Sequence, residues 1–414
     1  MSCMIPEPNE PTRTVAPAQW NRLSAPTESL AQMTTFATGG KVAQYVEAYS
    51  EAELIDAIES ADRDGIPLLV LGGGSNILAS STDFPGRVVR DARQEISTVF
   101  EEGCPGARMH VSAGTPWDAV VVYAIEHGWM GMEALSGIPG TAGAAIVQNI
   151  GAYGQEVAGT VVVARTYDRL TRSIRTLFLS DMALGYRASL LKDSMRAGER
   201  LKGASQSHVA ARLDPHEGGH IWSYSPRWIV LDVDFQLRLA SMSEPVRYGQ
   251  LADLLGVEVG TRVPSTDLRA AVLELRRGKG MVLDDADRDT YSAGSFFTNP
   301  ILSEVEAAAL PQDAPRYSVT DATAVNQIGA AAPNVPGLVK TSAAWLISRA
   351  GFTPGFNMPG PAAISRKHSL ALTNRGGARG EDIAQLARTI RDSVREQFGV
   401  TLEPEPVLVG LSID

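Results

Sequence analysis

A mixed chain of α/β units in two or three domains is what this sequence predicts, and three observations predict it. Strand-like and helix-like periods alternate in short blocks along the chain. Two glycine-rich stretches interrupt that pattern, one of them following directly on an apolar run, as when a strand feeds a loop. The chain has 414 residues, 44% of them hydrophobic, which is length and apolar material enough for more than one core.

Taken in order, residues 1–26 are polar and proline-rich and read as a flexible tail. Residues 43–49 read as a strand and 67–71 as another. Between them 50–64 reads as a helix, with Ser50 as N-cap and Glu53 completing a capping box. A second region starts near Arg93. It has a strand at 109–113, a helix at 116–127 with Pro116 in its first turn, and a strand at 161–167. Residues 193–227 are a polar insertion carrying His208, His216 and His220. Their spacing matches no metal-ligand motif, so a solvated insertion is the expectation and no metal is assigned.

A clear strand resumes at 228–239, and a helix capped by Ser265 covers 266–277. Residues 282–399 form a third unit ending in a long helix at 380–398, and 401–411 reads as a strand rejoining the second region. The expected division is therefore a tail (1–26), a first unit (27–92), a second (93–281 with 400–414) and a third (282–399).

Cys3 and Cys104 are the only cysteines, which supports neither a disulfide framework nor a cysteine zinc site and suits a reducing compartment. The first residues lack the basic start and apolar core of a signal peptide. No apolar run approaches the roughly 20 residues of a membrane span. A cytoplasmic protein without a membrane partner is expected. The formal net charge of −10 disfavours nonspecific nucleic-acid binding, so an anionic ligand would need a local basic pocket. Nothing calls for an oligomer, and a monomer is expected.

The most informative stretch is 136–154, SGIPGTAGAAIVQNIGAYG, with five glycines, four alanines and no charged residue in nineteen positions. It can do no chemistry by itself. It offers bare backbone, whose N–H groups can come within hydrogen-bonding distance of a flat or anionic ligand. The run LGGGSN at 71–76 offers the same. Either loop alone could merely make tight turns; two together point to a large bound cofactor. Neither is a P-loop, because Gly74 is followed by Ser75 and Asn76 where Lys and Ser or Thr are needed. Neither is a dinucleotide fingerprint, because Ile77 stands where the third glycine belongs.

Four polar constellations stand apart: GYRASLLK (185–192), RRGKG (276–280), SAGSFFTNP (292–300) and LEPEP (402–406). Each alone has a structural explanation, such as the RRGKG cations complementing a helix C-terminus. Together with TTFATGG, LGGGSNIL, the 136–154 stretch and the AAWLI run ending at Ile347, and in this order, they resemble the UDP-N-acetylenolpyruvoylglucosamine reductases across about 34–410.

The resemblance implies an FAD-binding fold of the vanillyl-alcohol-oxidase/PCMH type, two α+β subdomains clamping the flavin, with a third α+β domain over the substrate. It implies noncovalent FAD bound by Gly72, Gly73, Gly74, Ser75, Asn76, Ser136, Gly137, Ile138, Pro139, Gly140, Gly143 and Ala144. NADPH would reduce the flavin and leave, and the enolpyruvyl ether of UDP-N-acetylglucosamine would then be reduced to UDP-N-acetylmuramate, a peptidoglycan precursor. Arg187 would hold the enolpyruvyl carboxylate. Glu405 would help polarise it, kept protonated by burial or by the nearby Glu403. Ser295 would donate the proton. Tyr186, Tyr248, Arg276, Lys279 and Asn299 would contact substrate or nicotinamide, with Lys279 and Tyr248 on the diphosphate. Ala188 and Leu191 depart from the usual acidic and aromatic residues of the GYRASLLK motif. Another FAD oxidoreductase of the same fold, or a nucleotide-sugar binding protein without turnover, is the alternative.

Overall fold

The computed structural model describes residues 13–14, 28–102, 106–196, 213–321 and 333–414. Near its start lies a three-stranded parallel sheet in the order Val42–Ala48, Phe84–Asp91, Leu68–Leu71. The helix Glu51–Arg63 connects two of these strands. The Ser50 hydroxyl accepts the Glu53 N–H at 3.2 Å, while the Glu53 carboxylate accepts from Tyr49 N–H at 2.7 Å, one residue earlier than a strict capping box. Leu54, Ala57, Ile58 and Ala61 bury one face of this helix against Leu68 and Val89, and also against Tyr167, Ile229 and Leu231 of the next sheet. One helix face thus fastens two sheets together.

The second sheet has seven strands and is antiparallel, in the order Arg13–Thr14, Glu95–Glu102, Gly106–Ser112, Trp228–Leu239, Val161–Asp168, Ser173–Phe178; Trp129–Met130 pairs with the end of Trp228–Leu239. The helices Trp117–Glu126 and Ala142–Gln148 pack on it, with Trp117, Trp129, Trp228 and Phe235 fully buried between. The third unit gathers the helices Ala343–Arg349 and Gly380–Phe398 over two small sheets. Its core is anchored by Phe296 and Phe297, and Phe296 meets Phe36 edge-on at 6.4 Å.

Three expectations are corrected. Within 401–411 only Val407–Val409 is a strand, and it pairs in parallel with Ile77–Ala79, beside the first glycine loop, instead of rejoining the second region. Pro404 and Pro406 have no N–H to donate, so a ladder begins only after them. Val409 then packs among Leu30, Met33, Leu69 and Leu71.

Ser265 is the first residue of the helix Ser265–Gly278, not its cap; the cap position is Pro264, and the amide of Ser265 is committed to the Ser241 carbonyl at 3.0 Å. The insertion is only partly solvated. Residues 197–212, with His208, lie outside the described residues, but 213–227 packs on the body. Arg227 is 1% exposed and donates from Nε and one terminal nitrogen to Asp168 at 2.8 and 2.9 Å. Burial pushes the Asp168 carboxyl up, but Arg227 outweighs it and holds the group below the usual carboxylate range. His216 Nε2 lies 2.9 Å from the Asp193 carbonyl, and the His220 ring meets Trp222 at a tilt, with centroids 4.2 Å apart.

Candidate active site

The two glycine loops meet main chain to main chain. A Cβ on Gly73 would lie 2.8 Å from Gly140 Cα, so only a residue without one lets the loops touch. At Gly74, with φ +61°, a Cβ would lie 1.8 Å from the Met33 carbonyl oxygen. Ser75 Oγ donates to the Pro139 carbonyl at 3.1 Å, tying the first loop to the second. The N–H groups of Gly73, Gly74, Ser75 and Asn76 find no backbone acceptor among the described residues, which leaves a row of donors for a ligand.

These loops wall a cleft of about 920 Å³, with Gly143, Ala144, Val147, Ile229 and Val230 behind them and Met195, Tyr224 and Pro226 at the side. The last three belong to the insertion, which therefore contributes wall. The cleft continues into a second half of about 1350 Å³, and Ser75, Asn76, Thr141, Ala144 and Gln148 line both. Ile138, Pro139 and Gly140 line the second half. Ser136 and Gly137 line neither half. Ser136 is fully buried with its hydroxyl donating to Glu133 O at 2.7 Å, and the Gly137 N–H is taken by Asp118 at 2.6 Å, so both brace the loop from behind.

The second half is built where three segments cross. The stretch after Ser295 runs beside 402–405: the Phe296 carbonyl accepts Glu405 N–H at 2.8 Å and Thr298 N–H donates to the Glu403 carbonyl at 3.0 Å. That ladder places Ser295 and Glu405 in one wall, and the buried phenylalanines behind it fix it in place. Arg187 comes from the tip of a tight hairpin in which Gly185 and Ala188 exchange both backbone bonds. Its φ of +55° is unusual for a residue with a side chain and belongs to the kind of strain found at functional sites. Two guanidinium nitrogens donate to the carbonyls of Asn149 and Gly151 at 3.3 and 2.8 Å, and Nε stands 3.1 Å from Glu405 Oε1. The Nε contact is an ion pair without hydrogen-bond alignment.

The expectation that Glu405 shares its site with Glu403 is not met. Glu403 turns to the surface and pairs with Arg196 at 3.2 Å, while Glu405 faces Arg187. Burial holds the Glu156 carboxyl above its ordinary value, with Arg187 and Lys340 pulling against that shift.

Arg276, Lys279 and Tyr248 line the same half as Arg187, Ser295 and Glu405. Burial lowers the Arg276 guanidinium to about 10, and its Nε has no hydrogen-bond partner. Lys279 is lowered by burial and by Arg276, and its ammonium donates to Gln250 at 3.0 Å. Tyr248 stands at the rim, edge-on to Tyr153 at 5.7 Å. Tyr186 and Asn299 are brought together beside the cleft and not in its wall: the Asn299 N–H donates to the Tyr186 hydroxyl at 3.4 Å, and Asn299 Oδ1 accepts from Ala343 at 3.0 Å.

Sequence reasoning gave no role to Gln148, Tyr153 or His368, all in the wall. His368 accepts the Leu370 N–H on Nδ1 at 3.0 Å, so its proton sits on Nε2. Burial, then Lys279 and Arg276, push it down to about 4, so it is neutral near pH 7. Gln148 and Tyr153 lie in a quoted motif whose uncharged character drew attention to its glycines; His368 had no local signal.

Residues 42–167, which contain both glycine loops, match the family described as FAD binding domain. Residues 286–409, which contain Ser295, His368 and Glu405, match UDP-N-acetylenolpyruvoylglucosamine reductase, C-terminal domain. Loop amides without a backbone acceptor, on glycines that let the two loops close main chain to main chain, are what a flavin dinucleotide requires, and the protein is of the FAD-dependent oxidoreductase class.

The chain is 43% identical to the UDP-N-acetylenolpyruvoylglucosamine reductase of Thermobifida fusca, over 93% of this chain and 97% of that one. It is 44% identical to that of Saccharopolyspora erythraea, over 93% and 95%. It belongs to the UDP-N-acetylenolpyruvoylglucosamine reductase family.

The crystal structure of the Thermus caldophilus reductase shares the fold, with TM-score 0.55 at 23% identity, covering 92% of this chain and 97% of that one. The fold is the expected α+β one of the vanillyl-alcohol-oxidase type with an added C-terminal domain. Among the described residues no helix is long and apolar enough to cross a membrane, and no group of three or more His, Cys, Asp or Glu is placed to hold a metal.

Proposed function

We propose that the protein reduces the enolpyruvyl ether of UDP-N-acetylglucosamine to UDP-N-acetylmuramate with NADPH, through noncovalently bound FAD. The observation that carries this reading is the Arg187–Glu405 pair at 3.1 Å in the wall that also presents Ser295.

A planar, permanently charged fork suits a substrate carboxylate, and Arg187 is positioned to receive one. Glu405 beside it can share a proton with that carboxylate as negative charge spreads from the enolpyruvyl carbon into it. Ser295 would protonate that carbon. Its hydroxyl is a weak acid, but an enolate carbon is basic enough to take the proton when the two are held in line. Bound FAD supplies the hydride relay from the nicotinamide to the terminal vinyl carbon. Lys279 and Tyr248 at the mouth would meet the diphosphate, and Arg276, with its unpartnered Nε, the nicotinamide dinucleotide. Nicotinamide and enolpyruvyl ether would use the second half of the cleft in turn.

Units 27–92 and 93–281 are assigned to the cofactor and 282–399 to the substrate, with 402–409 joining the two. A monomer in the cytoplasm is the accompanying inference, and light scattering on the purified holoenzyme tests the first part.

The decisive experiment is anaerobic. NADPH should bleach the yellow protein, and the enolpyruvyl ether should restore the colour while gaining two hydrogens. Flavin that bleaches but is not restored by that ether overturns the reading.

A further inference from the structure

Lys192 carries a buried ammonium to which the reaction above gives no task. The residue is 6% exposed and sits in the short helix Leu190–Asp193, where the Ser189 hydroxyl accepts its N–H at 3.0 Å. Its Nζ donates to Gln148 Oε1 at 2.9 Å and, at the long end of hydrogen-bonding range, to the carbonyls of Arg187 and Glu405 at 3.4 and 3.5 Å. An ammonium has three donors and no acceptor, so all of its capacity is committed. The acceptors come from three separate segments: the helix Ala142–Gln148 that follows the second glycine loop, the Arg187 hairpin and the 402–406 stretch.

No carboxylate lies within salt-bridge distance of Nζ among the described residues; its charge rests on carbonyl and amide dipoles. Burying a cation on such terms is costly, and a neutral side chain would serve better if filling space were the only need. What the arrangement does is span the ion pair from behind. Arg187 and Glu405 touch through their side chains in the cleft, and Lys192 bridges their main chains on the other side. At Arg187 this bridge falls on a residue with φ +55°, a conformation that the surroundings must enforce.

We propose that Lys192 is a positioning residue for the carboxylate-binding pair: its ammonium fixes the main chain of Arg187 relative to that of Glu405, so that the pair is set for the substrate carboxylate only while Lys192 is protonated. The charged groups facing Nζ are Glu405 and Asp193, which favour the ammonium, and Arg196 and Arg187, which oppose it. Burial outweighs them and brings it down to about 8. When the proton leaves, one of the three acceptors faces a lone pair and the bridge opens. The rate of substrate reduction therefore falls on the alkaline side. Reduction of the flavin by NADPH, which makes no use of the carboxylate-binding pair, does not fall with it.

The proposal rests on the assignment of that pair to the substrate carboxylate. The test is stopped-flow absorbance of both half-reactions of the holoenzyme across pH 6 to 9.5, for wild type, Lys192→Met and Lys192→Arg, with FAD content and Tm measured alongside. In the wild type, flavin reoxidation by the enolpyruvyl ether should fall with a midpoint near 8 while reduction stays level. Lys192→Met should lose roughly 10- to 100-fold in reoxidation at pH 7, the scale of a misplacement of about an ångström, and should lack the alkaline fall. Lys192→Arg should recover most of the rate, also without the fall.

An alkaline fall that persists in both variants, reoxidation by Lys192→Met within twofold of wild type, or equal slowing of the two half-reactions overturns the proposal. If Lys192→Met fails to retain FAD, Lys192→Cys converted to the less basic aminoethyl thioether should move the fall to lower pH, and an unmoved fall overturns it. Wild-type flavin that the ether does not reoxidise at all would instead overturn the functional assignment.

Discussion

Between the 72–76 loop and the Arg187 hairpin the cleft changes from a wall of main chain to a wall of charged side chains. In the first half Gly73 lies against Gly140, the lining residues 73–76 carry amides without a backbone acceptor among the described residues, and Asp91 is the charged residue in the lining. In the second half Arg187, Arg276, Lys279 and Glu405 share one wall with the neutral His368. The difference teaches how each ligand is kept. Main-chain amides cannot move away or find another partner, which suits a cofactor that stays through every turnover. Charged side chains can exchange partners, as Arg187 would on trading some of its contact with Glu405 for a substrate carboxylate, and this suits ligands that come and go.

The largest effect should follow from giving the first wall a side chain. Gly74→Ala places a Cβ 1.8 Å from the Met33 carbonyl, whereas Gly65→Ala, at nearly the same φ of +64°, meets nothing within 4 Å. The control should cost about 1–2 kcal/mol from backbone strain alone. Gly74→Ala should lose several times that together with its flavin, read as absorbance at 450 nm per protein and as Tm. Equal behaviour of the two would mean that dihedral freedom, not close approach, is what the first loop needs.

Next is Ser295→Ala. It should leave bleaching by NADPH near the wild-type rate and slow reoxidation by about 10²- to 10⁴-fold, the usual worth of a general acid. Ser295→Cys should keep more of the rate than Ala. Equal slowing of both half-reactions would show that Ser295 places the ring or the nicotinamide and is not the acid.

Arg187→Lys keeps the charge and loses the fork. A cost of about 1–3 kcal/mol, or roughly 5- to 150-fold in kcat/KM for the enolpyruvyl ether, is expected with FAD content unchanged. Loss of FAD in this variant would blur the division between the two walls.

The smallest effect concerns His368. Its folded pKa of about 4 lies below the ordinary value of 6.5, so between the two the unfolded chain binds the proton and the folded one does not. Stability should therefore drop as pH falls from about 6.5 toward 4, and His368→Gln should flatten that part of the Tm profile. Superimposable profiles would show that neither burial nor the two cations beside it depress its pKa.

What was legible in the sequence follows the same division. The glycine loops were readable because only glycine permits such contact. The helix Gly380–Phe398 was readable to the residue because its apolar period is long and it ends on Gly399 in a left-handed cap. The Arg187, Ser295 and Glu405 motifs stood apart as polar constellations and the resemblance gave them roles, but neither told what surrounds them. Lys192 stood in the GYRASLLK motif without a role, since nothing local says that a lysine after two leucines points inward at the amide oxygen of Gln148 and the carbonyl of Glu405. Ser136 and Gly137 look like their neighbours in the sequence, and the bonds that tie them to Glu133 and Asp118 had no local signal. The strand Val407–Val409 was misplaced because parallel pairing leaves no turn signal to read.

That pairing has a bearing on how the enzyme acquires activity. Asn76 Nδ2 donates to the Glu405 carbonyl across 329 positions of sequence, and the Thr35 hydroxyl reaches the Ser292 carbonyl across 257. Contacts between such distant parts of a chain form late, after each unit has condensed locally. In refolding from denaturant, helical and sheet ellipticity should thus return first and flavin reoxidation by substrate last. A molecule arrested between the two would hold ordered domains yet turn nothing over, so turnover itself serves as the assay of complete assembly.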